Sequence, residues 1–125
     1  MDEKLVLIID DQDDLRFILT FDLQKKGYRT LQARNGEEGI EIARKNAPGI
    51  ILLDRKMPGM DGVETCRRLK SDEKTKHIPV LMVSGKAQKD ELQQAIQAGA
   101  CGCIIKPFKF EELFQKITET IRGNL

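Results

Sequence analysis

Long apolar runs are missing from this sequence: the longest strongly apolar runs are five residues, far short of the ~18 or more that a membrane span needs. The start, Met1-Asp2-Glu3-Lys4, places acids where a secretion signal carries basic residues. The cytoplasm is therefore the expected location, with no membrane partner. An excess of one charge is also missing. Lys and Arg number 21 against 20 Asp and Glu, a formal charge of +1, so no bulk field draws in nucleic acid or an anionic surface. The locally basic Arg67-Arg68-Leu69-Lys70 and Lys74-Thr75-Lys76 read as a solvated helix face and the loop after it, so no direct nucleic-acid contact is expected. Cysteine is sparse. Three cysteines, an odd number, suit a reducing compartment rather than a disulfide framework. Cys101 and Cys103 could share a strand face, but no second Cys pair or His cluster accompanies them and His77 is remote. They read as buried thiols, not metal ligands.

What the sequence does contain is alternation. Short apolar runs and longer segments of helical period follow one another five times. Leu5–Ile9, Ile50–Leu53 and Val80–Val83 are apolar throughout and predict central strands, with a further strand at Cys103–Ile105. Tyr28–Ala33 alternates more and predicts an edge strand. Residues 12–26 place Leu15, Ile18, Leu19 and Leu23 on one side and stop at Gly27, although Asp22 interrupts that stripe. Asn35 is positioned to cap a helix running to Asn46, with Gly39, Ile40 and Ala43 inward and Pro48 beyond its end. Residues 62–71 offer Val63, Cys66 and Leu69, and residues 89–98 offer Leu92, Ala95 and Ile96 before Gly99. Phe110, Leu113, Phe114, Ile117 and Ile121 mark the last helix. Strand then helix, five times over, predicts an α/β fold with a doubly wound parallel sheet. The flavodoxin-like order 2-1-3-4-5 puts the apolar strands in the centre and the ends of strands 1 and 3 side by side. No linker, repeat or low-complexity stretch interrupts residues 1–125, which read as one domain.

Chemistry concentrates where the strands run out. Asp10 and Asp11 end the first apolar run, Asp54 the third, Ser84 the fourth and Lys106 the fifth, and open parallel sheets collect ligands at those ends. Within Asp10-Asp11-Gln12-Asp13-Asp14, acids also complement the dipole of a following helix, and Asp13 and Asp14 need do no more than that. Asp10 and Asp11 differ because they terminate a buried strand, where an uncompensated charge is costly. Bringing Asp54 against them raises a pKa unless a cation intervenes. Mg²⁺ (or Mn²⁺) is the natural choice, a hard ion that takes one or two carboxylates, waters and a phosphoryl oxygen. Lys106 supplies a point charge for an anion and Ser84 a hydroxyl donor. Asp54 is the best nucleophile of the set, since carboxylates form aspartyl-phosphates when charge on the phosphoryl oxygens is balanced.

These residues resemble the response-regulator receiver domains of two-component signalling. The resemblance extends over essentially the whole chain: Asp10-Asp11, Asp54, Met57-Pro58-Gly59-Met60-Asp61-Gly62, Ser84 and Lys106-Pro107-Phe108 each follow the expected strand. The tracts around Asp10 and Asp54 resemble single-domain phosphorelay members most. The resemblance implies that Asp54 takes a phosphoryl group from a histidine kinase or histidine phosphotransfer protein. It implies that Asp11, Asp54 and the backbone carbonyl of Lys56 ligate Mg²⁺, with Asp10 acting through metal-bound water. Ser84 and Lys106 then contact the phosphoryl group, the Lys106-Pro107 bond is cis, and a downstream protein reads a face of helix 4, strand 5 and helix 5. Such a protein catalyses only its own phosphorylation and dephosphorylation and is not otherwise an enzyme.

Two departures stand out. Cys103 occupies the position, three before the lysine, where the family usually carries a Tyr or Phe that turns inward on activation; it is too small for that sweep. Arg55, with Lys56 and Lys86, adds positive charge at the rim. Three other readings share part of this pattern. A receiver fragment of a hybrid kinase or multidomain regulator keeps the same chemistry. A haloacid-dehalogenase-type phosphatase would use Asp11-Gln12-Asp13, but Leu15 stands where Thr or Val is expected and there is little room for a substrate cap. A flavin carrier shares the fold but would meet repelling acids after strand 1.

Overall fold

The computed structural model describes residues 2–85 and 89–123, with the side chains of Lys89 and Glu91 outside the description. The element order is β1 (Asp2–Ile9), α1 (Asp13–Lys25), β2 (Arg29–Ala33), α2 (Gly36–Asn46), β3 (Pro48–Asp54), α3 (Gly62–Ser71), β4 (Val80–Ser84), α4 (Lys89–Gln97), β5 (Gly102–Ile105) and α5 (Phe110–Gly123). All strand pairs are parallel and the sheet runs β2-β1-β3-β4-β5, as the alternation predicts.

Side chains of a strand point to the two faces in turn, and both faces of this sheet are covered. Leu7, Ile9, Ile51, Leu53, Val80 and Met82 meet Ala43, Val63, Cys66, Leu69 and Ala95 of α2, α3 and α4. Val6, Ile8, Ile50, Leu52, Leu81 and Val83 meet Leu19, Leu23, Leu113, Ile117 and Ile121 of α1 and α5. Each fully buried Leu or Ile contributes about 1.5–3 kcal/mol of transfer free energy, which is why the apolar runs occupy the central strands. The more polar β2 lies at an edge, with only Ala33 fully buried along it.

Several details differ from the sequence pattern. Ile18 is 54% exposed and Leu92 and Ile96 are each 50% exposed, although all three fall on apolar stripes. The stripe of α1 that reaches the core is narrower, centred on Leu19 and Leu23. That accounts for Asp22: it lines the edge of a surface groove with Leu15, Ile18 and Phe110 and is only half-buried. Pro48 does not merely follow α2 but opens β3. The stop is made by Ala47, which adopts a left-handed conformation at φ 45° and donates its N–H to the Ala43 carbonyl at 3.0 Å. Gly27 closes α1 at φ 90° as expected. No helix among the described residues is long and apolar enough to cross a membrane.

Candidate functional site

Strand register assembles the site. Ile9 pairs with Leu53, Asp54 with Val83, and Ser84 with Ile105. Asp10 therefore emerges level with Asp54, and Lys106 one step past the Ser84–Ile105 pair, at the carboxyl end of the sheet, where the strand order reverses between β1 and β3.

Carboxylate oxygens of Asp10, Asp11 and Asp54 all lie within 4.8 Å of one another. Asp10 and Asp54 are buried, at 3% and 6% exposure, whereas Asp11 faces solvent. The Lys106 ammonium lies 3.4 Å from Asp54 Oδ1 and 3.5 Å from Asp10 Oδ2, reaching both from a cis Lys106-Pro107 peptide. The Lys106 backbone N–H donates to the Ser84 carbonyl at 2.7 Å, tying β5 to β4 at this level. Ser84 is buried at the same end.

One ammonium does not neutralise this cluster. Burial, followed by the nearby Asp10 charge, pushes the Asp54 carboxyl up to about 6 despite Lys106. Burial also raises Asp10, against the pull of a 2.8 Å hydrogen bond that its Oδ1 accepts from the Gln12 N–H and of Lys106. With Asp10, Asp11, Asp54 and Lys106 all ionised, the local charge is −2, the sum of three carboxylates and one ammonium. A hard divalent cation matches both that charge and an all-oxygen donor set.

The rim is built by the chain leaving β3. The Arg55 N–H donates to the Val83 carbonyl at 2.8 Å, and the Arg55 carbonyl accepts from Gly62 N–H at 2.9 Å. This folds residues 55–61 back over the strand end. Gly62 has to be glycine here, because a Cβ would stand 2.4 Å from the Asp54 carbonyl oxygen. Gly59, at φ 77°, makes the turn, and Asp61 caps α3 by accepting from the Glu64 N–H. Lys56 is exposed in this segment. Lys86, the third rim cation of the sequence pattern, lies outside the described residues.

Arg16 has no signal in the apolar pattern, yet it is buried beneath the acids. Its guanidinium donates to the Asp10 carbonyl at 2.6 Å and to Gln32 Oε1 at 3.2 Å, and pairs with Asp13. It thereby fixes the backbone from which Asp10 projects. A basic residue one turn past an acidic strand end is the trace it leaves in the sequence. Arg55 is linked to Gln94 of α4 through a guanidinium hydrogen bond, a contact across 39 positions that no local pattern announces. Cys66, Cys101 and Cys103 are free thiols, and among the described residues only the aspartate trio has the spacing of a metal site.

Residues 6–118 match the family model described as the response regulator receiver domain. Among curated proteins, the chain is 36% identical to the phosphate regulon transcriptional regulatory protein PhoB of Pseudomonas aeruginosa over 95% of its own length, but spans only 52% of that relative. It is 38% identical to sporulation initiation phosphotransferase F of Bacillus subtilis, covering 90% of this chain and 89% of the other. Among solved structures, the chemotaxis protein CheY4 of Vibrio cholerae superposes with a TM-score of 0.88 at 29% identity, covering 93% of this chain and 97% of that one.

Proposed function

This chain belongs to the response regulator receiver domain family, and from that premise we propose that Asp54 is its phosphoacceptor. The observation that carries the proposal is the convergence of three aspartates within 4.8 Å, with Lys106 reaching two of them. Asp54 attacks phosphorus with a carboxylate oxygen. A new oxygen–phosphorus bond forms, the nitrogen–phosphorus bond of a phosphohistidine breaks, and its electron pair returns to the imidazole. Lys106, already against Asp54 Oδ1, is placed to follow the transferred oxygens, and the Ser84 hydroxyl to donate to another. Asp10, Asp11, Asp54 and the Lys56 carbonyl would hold Mg²⁺. When bound, that ion supplies charge balance for phosphoryl oxygens against a site that is otherwise net anionic. The chain catalyses only its own phosphorylation and dephosphorylation.

Surface chemistry supports two partner faces. Beside the site, Leu15, Ile18, Leu19, Pro107, Phe108 and Phe110 line an apolar groove next to Lys106. A histidine kinase or phosphotransfer protein seated there would bring its histidine to Asp54. Leu92 and Ile96, half-exposed on α4, belong to the α4-β5-α5 face on which we place the downstream protein. Since PhoB extends to almost twice the matched length, the same chemistry also suits a module of a larger regulator, and the mass of the native protein separates the two cases.

The test is phosphorylation by acetyl phosphate with Mg²⁺, read by intact-protein mass spectrometry. One phosphoryl group is expected on the wild type, none on Asp54→Asn and none after chelation. An adduct that persists on Asp54→Asn overturns the assignment.

A further inference from the structure

We infer that the outer face of α1 is a self-association surface, on which a second copy of this chain packs its own α1 antiparallel to the first. Phe17 is 70% exposed, Phe21 53%, and Ile18 between them is also more than half exposed. Single apolar side chains at a surface are ordinary, but three close together on one helix form a contiguous patch, and such patches mark interaction sites. Leu19 and Leu23 turn α1 toward the core. At about 100° per residue, Phe17 and Phe21 therefore point away from the sheet. The groove beside Lys106 takes Ile18 but neither phenylalanine, so a phosphodonor seated in the groove does not account for them.

Charge on the same stripe selects the occupant. Asp14 stands one turn before Ile18 and Lys25 one turn after Phe21, and both are exposed. The Lys25 ammonium lies 4.4 Å from the centroid of the Phe21 ring, which places it on the side of the helix that Phe21 presents. An acid at one end, a base at the other and apolar side chains between make a surface complementary to its own reversal. The pairs Ile18–Phe21 and Asp14–Lys25 share one midpoint along the helix. A two-fold axis through that point sets Ile18 of each copy against Phe21 of the other, and Asp14 against Lys25. Every contact is thereby made twice, as an isologous interface requires. Parallel packing would oppose acid to acid and base to base.

One helix face is small beside the roughly 800 Å² per partner of a standard interface. The dimer is accordingly a weak one, with a Kd on the order of tens of micromolar.

Sedimentation velocity of the full chain at low ionic strength, where exposed charges are least screened, tests this. The wild type is expected to pass from monomer to dimer between roughly tenfold below and tenfold above that Kd. Replacing both phenylalanines, Phe17→Ser with Phe21→Ser, is expected to weaken association about tenfold or more. Asp14→Lys and Lys25→Glu, each alone, are expected to weaken it several-fold, and an equimolar mixture of the two to recover the dimer, because each then offers the charge the other lacks. Circular dichroism verifies that each variant is folded. A wild type still monomeric at about 1 mM overturns the inference, and flotation of that monomer with phosphatidylcholine vesicles would assign the stripe to a membrane surface instead. A dimer that survives the double phenylalanine replacement lies on another face, such as Leu92 and Ile96 of α4, and also overturns it. So does a charge-variant mixture that associates no better than its components.

Discussion

Asp54 folds into an environment that opposes its charge, and this gives the protein a pH dependence of definite sign. Its carboxyl stands at about 6 in the folded chain, against 3.8 as the ordinary value, chiefly through burial. Below about pH 4 the group is protonated in both states and costs nothing. Between there and about pH 6 the folded state keeps a proton that the unfolded state has lost, so stability falls as pH rises. Above the folded value the full cost persists, roughly 3 kcal/mol at 1.36 kcal/mol per unit. Without metal, Asp54→Asn is therefore expected to match the wild type near pH 4 and to exceed it by about 1–3 kcal/mol near pH 7.5. Urea unfolding at both pH values reads the difference; equal stabilities at the higher pH would mean that Lys106 fully compensates the charge. The stability deficit and the proposed acceptor role have one origin, a buried carboxylate short of positive charge.

At the level of elements, α2 ends on a strained residue. Ala47 holds φ at 45°, a region where a Cβ costs roughly 1–2 kcal/mol, and glycine commonly fills such a helix stop. Ala47→Gly is expected to raise unfolding free energy by about 0.5–1 kcal/mol without affecting phosphorylation, as thermal unfolding and the acetyl phosphate assay would report. Pro48 lies beyond the end of α2 at Asn46, as its position in the sequence indicates, and also opens β3. Strand centres were legible because burial on both faces leaves uninterrupted apolar runs such as Leu5–Ile9 and Ile50–Leu53. Strand-end residues were legible for a related reason: Asp10, Asp54 and Lys106 are charged directly after such runs. Helix faces were less so. Ile18, Leu92 and Ile96 carry core-like side chains on solvent faces, and periodicity does not distinguish a core from a docking surface. The contacts of Arg16 and Arg55 were out of reach because their partners, Gln32 and Gln94, are brought to them only by the folded sheet.

Over the whole molecule a near-neutral chain, +1 in formal charge, concentrates a local charge of −2 at one end of its sheet. That end is where β1, β3 and β5 deliver Asp10, Asp54 and Lys106, so relieving the site stabilises the junction of three strands rather than a loose loop. A cation binding there stabilises the fold by RT ln(1 + [L]/Kd), about 2.7 kcal/mol at a hundredfold excess over Kd. For a domain of this size that is a rise of about 10 °C in Tm. Protons compete for the same oxygens. Asp54 is ionised above about 6 and Asp10 is raised in the same direction, so the Mg²⁺-dependent rise in Tm is expected to be large near pH 7.5 and to shrink several-fold near pH 5. Asp54→Asn, which removes one carboxylate of the trio and its charge together, is expected to lose most of the rise at both. Differential scanning calorimetry with Mg²⁺ and with chelator measures it. A Tm rise that ignores pH would locate the cation away from Asp54, whose carboxyl stands at about 6, inside that window.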